Sequence, residues 1–450
     1  MMNKLFAFFV LIFCVSVFDS IAQTEGTVTP KSEYASLSNL LERSDTDAEN
    51  PKKNSKPKFW IKRADIFMNI YNLHPKYIEG QPLITIKFNY GSEKEIIKEQ
   101  KNGSLYETYV YRYVKITFKD GQVSSYEETK KIHNKPLKEA SNALKKAVEL
   151  DTENKFNDKI KESYEKLYKL YVHAGGRAYR DKDYKNSLAY FENGLKINDL
   201  DLLEGRIDTA IIYTTGVVAS LAKETDKTIK YLKEAGKHGL EEPNIYILLK
   251  NSYFEKGDTL KGVKALNQGF ESFPDNLGIN FELINYYLAI DKGEDALSYI
   301  KIAQEKDPTN VALVFIEGTL YDKQGDFDKA LELYNNAIEI NPDFMDSYYN
   351  KGVIYYNKAQ SLYSDANKER DDTKYKALLE EATETLKKTI EPMNRCIELV
   401  EGKAEKTTED IDNLRSIYGT LKSVYYRLQS KDDSYKEKYD EIKSKIDNLK

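Results

Sequence analysis

The 450-residue sequence contains little cysteine, proline or glycine for its length. One of its two cysteines, Cys14, lies in an apolar N-terminal run. Beyond that run Cys396 stands alone and has no partner for an internal disulfide. With only 11 prolines and 22 glycines, long stretches are free of the residues that break helices. We therefore expect a helical fold stabilised by packing, with Cys396 as a small buried residue on a helix; a disulfide between two chains is the alternative.

The sequence also has no large excess of charge of either sign. Its 68 basic and 73 acidic residues leave a net charge of -5. A protein that binds nucleic acid or an anionic membrane through electrostatics carries a basic surplus, which is missing here. We expect no nucleic-acid partner.

Motifs that carry chemistry are missing as well. The four histidines (His74, His133, His173 and His238) show no metal-ligand spacing with one another or with cysteine. There is no phosphate-binding loop, no dinucleotide fingerprint and no serine elbow. The sequence therefore predicts no catalytic residues, no metal and no cofactor, and the protein is not expected to be an enzyme.

The N-terminus has the pattern of an export signal. Lys4 precedes an apolar run from Leu5 to Phe18, and small residues stand at Ser20 and Ala22. The run is too short to span a bilayer comfortably, and its flanks suit cleavage after Ala22. We expect residues 1–22 to be a signal peptide, with no transmembrane segment after its removal. The predicted location is the periplasm or outer envelope of a bacterium.

Residues 23–58 follow the signal and are rich in Ser, Thr, Lys, Glu, Asp and Asn, with few large apolar residues. A segment of this composition buries too little surface to offset its ordering entropy. We predict a flexible linker over residues 23–58.

The clearest pattern is an internal repeat of 34 residues. With Val311 as position 1, small residues stand at positions 8, 20 and 27, large residues at 11 and 24, and a proline at 32. These are Gly318, Ala330, Ala337, Tyr321, Tyr334 and Pro342. Shifts by the period give five units in one register, beginning at Thr209, Pro243, Leu277, Val311 and Met345. A period of this size indicates stacked units, each unable to bury its apolar face alone.

The columns predict two antiparallel helices in each unit. Small residues let the two backbones approach, large residues fill the space beside them, and the proline ends the second helix. This arrangement resembles the tetratricopeptide repeat (TPR) family. The resemblance implies an all-α superhelix of helical hairpins (an α-solenoid). The ending from Ser423 to Leu428 also resembles that of secreted bacterial members.

Two further units are predicted upstream. Residues 182–198 supply the second helix of one, and seven extra residues around Leu200 to Ile207 separate it from the phased units. The first unit is split by a region of different period. Its halves are marked by Trp60, Ala64 and Phe67, and by Ala140, Leu144 and Ala147.

Between these halves we predict a small antiparallel β insertion at about residues 73–134. Ile84, Ile86, Phe88 and Tyr90 alternate as in a strand, and a longer strand runs from Val110 to Phe118 before a turn at Asp120-Gly121. On that longer strand Tyr109, Tyr111 and Tyr113 are predicted to face outward. The insertion is either a cap on the first repeat or a binding surface. The predicted organisation is 1–22 signal peptide, 23–58 linker, 59–199 N-terminal units, 200–400 repeat array and 401–450 capping helices.

Family resemblance further implies that positions 2, 5, 9 and 12 of each first helix line a concave groove. Some family members bind a terminal carboxylate with a clamp that needs Lys at position 5. Here position 5 is Ile247, Phe281, Phe315 or Tyr349, so this clamp is not expected. An extended apolar segment or a helix of a protein partner suits the groove better. The candidate partner-binding residues are Ile247, Asn251, Phe254, Phe281, Asn285, Leu288, Phe315, Thr319, Tyr349, Val353 and Tyr356, with Tyr109, Tyr111 and Tyr113 on the insertion.

We therefore predict an exported scaffold or adaptor that binds a protein or peptide in the cell envelope and performs no chemistry. The alternative is an enzyme or glycan-binding protein with its site on the tyrosine-rich insertion.

Overall fold

The computed structural model describes residues 28–101, 103–203 and 205–449. The predicted signal peptide lies outside the described residues and stays a prediction. The chain forms two compact units, Met1–Gly262 and Val263–Lys450. This boundary falls inside the predicted repeat array.

The N-terminal unit is built from helices and one small sheet. Its helices are α1 (Pro30–Ala48), α2 (Pro51–Asn54), α3 (Pro57–Asn72), α4 (Pro75–Ile78), α5 (Leu83–Tyr90), α6 (Pro136–Leu150), α7 (Asn157–Arg180), α8 (Tyr184–Asn198), α9 (Thr209–Leu221), α10 (Thr225–Lys237) and α11 (Pro243–Glu255), and α12 (Thr259–Ser272) crosses the boundary. Its strands are β1 (Glu95–Lys101), β2 (Ser104–Val110), β3 (Val114–Lys119) and β4 (Gln122–Glu128).

The C-terminal unit is helical throughout its described residues. Its helices are α13 (Leu277–Ala289), α14 (Gly293–Lys306), α15 (Val311–Gln324), α16 (Phe327–Ile340), α17 (Met345–Ala366), α18 (Asp372–Lys387), α19 (Ile390–Glu401), α20 (Thr408–Leu428) and α21 (Ser434–Asn448).

The predicted register of the repeats is confirmed. The helices α9, α11, α13, α15 and α17 begin at the five residues that open the phased units. At the α15–α16 turn, Gly325 ends the first helix in the left-handed conformation (φ 82°) and the side chain of Asp326 caps the second. Such αL glycines and Asp caps satisfy the backbone groups that helix ends leave without partners.

Close packing within the hairpins follows the predicted columns. A Cβ atom at Gly318 would lie 2.9 Å from the ring of Tyr334, which is itself fully buried. The same contact joins Gly175 to Phe191 at 2.8 Å and Gly216 to Leu232 at 2.8 Å. In each case the glycine is sixteen residues before its partner, because position 8 faces position 24. The small residue is therefore needed for the two helices to approach.

The split first repeat is also confirmed. Ala64 and Phe67 on α3 share one buried cluster with Ala140, Leu144 and Ala147 on α6, although about seventy residues separate the two helices in sequence. The intervening chain forms the insertion, so the hairpin closes around it.

The predicted flexible linker is wrong over most of its length. The segment from Pro30 to Ala48 is a helix whose first turn is closed by a capping box between Thr29 and Ser32. On one face Tyr34, Leu37 and Leu41 are buried against the first repeat. The average composition is polar, but three apolar residues at helical spacing supply the buried face that orders the segment.

The insertion contains a four-stranded antiparallel sheet in the order β1-β2-β3-β4. Asp120 (φ 48°) and Gly121 (φ 82°) form the predicted two-residue turn between β3 and β4. The predicted strand over Ile84 to Tyr90 is instead the helix α5, which packs Ile86 against the sheet. Its alternation was misleading because Leu83, Ile86 and Tyr90 also have helical spacing and these three contact the sheet core.

At the C-terminal end, α17 runs to Ala366, and the returning chain is divided at Lys388–Thr389 into α18 and α19. Met393 on α19 packs against Gly352, so α19 fills the place beside the position-8 glycine of this last phased unit. The α20 stripe of Leu414, Tyr418, Leu421, Tyr425 and Leu428 is buried with Ile442 of α21.

Candidate partner-binding surfaces

In the N-terminal unit, three predicted groove residues lie on α11. Asn251 is exposed, whereas Ile247 and Phe254 are half-buried. The ring of Phe254 lies against Gly262, since a Cβ there would be 2.5 Å from the ring. Phe254 therefore contributes to packing within its hairpin, and Asn251 presents the accessible side chain.

In the C-terminal unit, α13 shows the same division. Phe281 and Leu288 are half-buried against the cluster of Ile284 and Ile300, and Asn285 between them is exposed. An exposed amide beside half-buried apolar side chains makes a mixed surface, of the kind found where proteins bind peptides.

The next repeat continues this surface with polar contacts. Phe315 packs edge-on against Phe344 (ring centroids 5.3 Å apart). The hydroxyl of Thr319 donates to the carbonyl of Phe315 at 3.0 Å, and the Nδ2 of Asn350 donates to the Tyr334 hydroxyl at 3.2 Å. These bonds fix the side chains of two successive first helices.

The last predicted groove residues, on α17, are engaged by the C-terminal helices. Tyr349, Val353 and Tyr356 pack against the core that includes α20, and the Tyr349 hydroxyl lies 3.0 Å from the Ser416 hydroxyl. Hence the C-terminal helices partly cover the predicted groove at α17, and Asn285 on α13 is its exposed side chain in this unit.

The predicted outward tyrosine face on the insertion is wrong. Tyr109 and Tyr111 are 4% and 2% exposed, in the same small core as Ile116 and Phe118. Tyr113 stacks on Tyr34 of α1 with ring centroids 3.9 Å apart. The chain turns back between β2 and β3, so Tyr109 lies opposite Ile116 on one face of the sheet. The alternation of tyrosines in the sequence gives no sign of this turn, because the turn contains no glycine, proline or asparagine.

The structure reveals a polar cluster that the sequence analysis missed. The Nε2 of His173 lies 2.5 Å from one carboxylate oxygen of Glu79, and Tyr126 donates its hydroxyl proton to the other oxygen at 3.0 Å. Arg177 donates to the Tyr126 hydroxyl at 2.7 Å and lies over its ring at 4.3 Å. The Tyr71 hydroxyl is 3.2 Å from the His173 Nδ1. We call these five residues the docking cluster.

Members of the docking cluster come from both sides of one junction. Glu79 and Tyr126 belong to the insertion, and Tyr71 lies in the last turn of α3. His173 and Arg177 are one turn apart on α7. The i, i+4 spacing of His173 and Arg177 places both side chains on one helix face and is visible in the sequence. No local pattern connects Glu79 or Tyr126 to these two residues. The cluster attaches the insertion to α7, as expected for a cap.

Electrostatics support a structural role for the docking cluster. Burial acts to raise the pKa of Glu79, but hydrogen bonds from His173 and Tyr126 outweigh it and leave the pKa below its ordinary value. Burial raises the pKa of Tyr126 well above the ordinary value, against the opposing charge of Arg177. An ionised carboxylate held between His173 and the neutral Tyr126 joins the insertion to α7 and provides no activated nucleophile.

Other candidate chemistry is equally limited in the described part of the chain. No group of three or more His, Cys, Asp or Glu residues there could hold a metal ion. Cys396 is buried, as predicted, and burial raises the pKa of its thiol to about 12, so it is not a reactive thiolate. Within residues 28–101, 103–203 and 205–449, no helix is both long enough and apolar enough to cross a bilayer.

These hairpins, with their small-residue contacts and mixed first-helix surfaces, define a helical repeat protein. A family model for the TPR repeat matches residues 318–358. A TPR repeat-containing protein of Methanocaldococcus jannaschii is 35% identical over 68 residues, which are 15% of this chain and 20% of that protein. The photosystem I assembly protein Ycf3 of Acaryochloris marina is 34% identical over 71 residues, or 16% of this chain and 40% of that protein.

The chain thus spans between about a fifth and two fifths of the length of these relatives. Among solved structures, the TPR protein YrrB aligns with 18% identity and a TM-score of 0.33, covering 46% of this chain and 97% of YrrB. MamA from Desulfovibrio magneticus aligns with 14% identity and a TM-score of 0.34, covering 44% of this chain and 97% of MamA. Through the match over residues 318–358 and its repeated helical hairpins, the chain is thus similar to the tetratricopeptide repeat family.

Proposed function

We propose that this protein is an exported adaptor that binds a protein partner in the bacterial envelope and performs no chemistry. TPR proteins in general mediate interactions between proteins. Export and envelope location rest on the signal pattern of residues 1–22 alone.

One observation carries the binding role. On α13 and α11, the position-9 asparagines are exposed while the neighbouring position-5 and position-12 residues are half-buried. Hydrogen-bonding groups beside apolar side chains suit an extended segment or a helix of another protein, which needs both kinds of contact. We place the partner contact in the C-terminal unit at Phe281, Asn285, Leu288, Phe315 and Thr319.

The packing of the tyrosines on the insertion argues against the alternative, an enzyme or glycan-binding site on that face. Tyr109 and Tyr111 are buried and Tyr113 is stacked on α1, so these three tyrosines form no open face for a sugar or substrate.

In-cell photo-crosslinking tests the proposal. A photoreactive amino acid replaces Asn285, and the matched control replaces Asn335, an exposed asparagine on α16. We expect a discrete crosslinked protein from position 285, recovered in the envelope fraction, and none of that product from position 335. Equal crosslinking of the same protein from positions 285 and 335 would contradict the assignment of the partner contact to the predicted groove. Recovery of the chain in the cytoplasm with its first 22 residues retained would contradict export.

A further inference from the structure

A strongly basic stretch of chain precedes and opens α3 in the N-terminal unit. Residues 50–63 contain five lysines, one arginine and no acidic residue, although the whole chain carries a net charge of -5. The near balance of charge over the whole chain therefore conceals a local basic surplus. We call residues 50–63 the basic segment.

Two cations of the basic segment are neutralised by carboxylates of α1. Arg63 pairs with Asp45 and Lys53 pairs with Asp47, both at 2.6 Å. The other four cations are exposed and take part in no ion pair within the described part of the chain. These are Lys52, Lys56, Lys58 and Lys62. Four positive charges of this segment therefore remain open to a partner.

Helix stability does not account for these lysines. Lys56 is the N-cap residue of α3, and its side chain makes no capping hydrogen bond. The first turn of α3 contains Lys58 and no acidic residue. Positive charge at a helix N-terminus is unfavourable, because the helix dipole is itself positive there. An anionic surface close to this end of α3 would relieve the repulsion.

The side chains of the basic segment suit a diffuse anionic surface better than a single acidic group. A lysine ammonium is a mobile point charge, whereas an arginine presents a planar fork that fits one carboxylate or phosphate. The single arginine here is already paired, and all four open cations are lysines. Phe59 and Trp60 lie among them, half-buried and edge-on to each other with ring centroids 5.1 Å apart. Aromatic side chains beside lysines are common where helices contact the headgroup region of a bilayer.

We propose that the basic segment binds the protein to the surface of an anionic phospholipid bilayer. Clusters of about four to eight basic residues are sufficient for attraction to anionic headgroups, and this attraction acts over roughly one Debye length. The inference rests on the proposed envelope location, because an exported protein meets lipid headgroups there and not nucleic acid.

Vesicle sedimentation tests the proposal. The chain is used without residues 1–22, so that the apolar run of the predicted signal cannot attach it to lipid. The probes are vesicles of phosphatidylcholine alone and vesicles of phosphatidylcholine and phosphatidylglycerol in equal parts. We expect binding to the mixed vesicles that weakens as salt is added, and none to phosphatidylcholine alone. Equal binding to both kinds of vesicle, or binding to neither, would overturn the proposal.

Two fourfold lysine-to-glutamine variants locate the contact. Replacing Lys52, Lys56, Lys58 and Lys62 together is expected to weaken binding to the mixed vesicles by at least about tenfold. The control replaces four exposed lysines that are interspersed with acidic residues in the C-terminal unit, namely Lys431, Lys436, Lys438 and Lys443. It changes the net charge equally and should weaken binding by less than about threefold. Circular dichroism checks that both variants are folded. Equal weakening in the two variants would show that the basic segment is not the contact.

Duplex DNA added as a competitor tests the other anionic macromolecule. We expect the chain to stay on the mixed vesicles when DNA is added at equal phosphate concentration. Complete transfer to DNA would overturn the proposal in favour of a nucleic-acid surface. Failure to bind vesicles would leave the crosslink from position 285 unaffected, so this inference and the proposed partner contact are tested separately.

Discussion

Within each hairpin, a volume match between position 8 and position 24 decides how closely the two helices pack. Gly318 leaves room for Tyr334, and Gly175 leaves room for Phe191. Where position 8 is large, as at Ile284, position 24 is Ile300, which is smaller than Tyr334 or Phe191, and both isoleucines are fully buried. The pair of positions, and not either residue alone, sets the spacing of the helices.

A pair of leucine substitutions on α16 tests this account. Ala330 is fully buried, whereas Glu332, two residues further along the helix, is exposed. We expect Ala330→Leu to destabilise the fold by about 1–3 kcal/mol through overpacking, and Glu332→Leu to change stability by less than about 0.5 kcal/mol. Urea unfolding of the two variants measures the difference. Equal loss in both would contradict the assignment of the buried face.

Residue patterns predicted the repeat well because its signal is local and recurs five times. The tyrosines of the insertion were mispredicted for the opposite reason. Tyr111 and Tyr113 flank a tight turn in which the Tyr111 N–H donates to the Val114 carbonyl at 2.9 Å, and no residue there favours a turn strongly. Only the pairing of β2 with β3 reveals that Tyr109 faces the core.

At the scale of elements, the N-terminal unit is held by junctions that the sequence pattern does not show. Stacking of Tyr34 on Tyr113 joins α1 to the insertion, and the Tyr77 hydroxyl donates to Glu33 at 2.6 Å. These partners lie 44 or more residues apart, so no periodicity connects them. The helix α1 was mistaken for a linker because its order depends on these distant contacts.

The docking cluster predicts a pH-dependent attachment of the insertion. Because the folded pKa of Glu79 is depressed, its contribution is complete above the ordinary glutamate pKa of about 4.3 and is lost as pH falls through the lower folded value. We expect acidification to reduce hydrogen-exchange protection of β2 to β4. Glu79→Gln should lower protection at neutral pH and remove most of the acid dependence.

The matched control for this prediction is Glu95→Gln, on the exposed strand β1. It should resemble the wild type at every pH. If Glu79→Gln and the wild type lose protection in parallel on acidification, the charge of Glu79 does not attach the insertion.

At the scale of the whole molecule, stability is expected to be local. In an array of repeats each hairpin contacts its neighbours, so a disturbance decays along the chain. The two units of this protein each contain a position-8 glycine facing a buried aromatic ring, Gly175 in the N-terminal unit and Gly318 in the C-terminal unit. The same glycine substitution can therefore be made once in each unit.

We predict that Gly175→Ala and Gly318→Ala each destabilise their own unit. Replacing a helical glycine by alanine gains about 1 kcal/mol of helix propensity. The new Cβ, however, would lie 2.8 Å from the ring of Phe191 or 2.9 Å from that of Tyr334, and both rings are almost completely buried and have little room to move. The clash is therefore expected to outweigh the gain. Hydrogen exchange should become faster in α7 to α9 for Gly175→Ala, while the C-terminal unit is unchanged. For Gly318→Ala it should become faster in α15 to α17, while the N-terminal unit is unchanged. Faster exchange throughout the chain in either variant would show that the protein unfolds as one cooperative body.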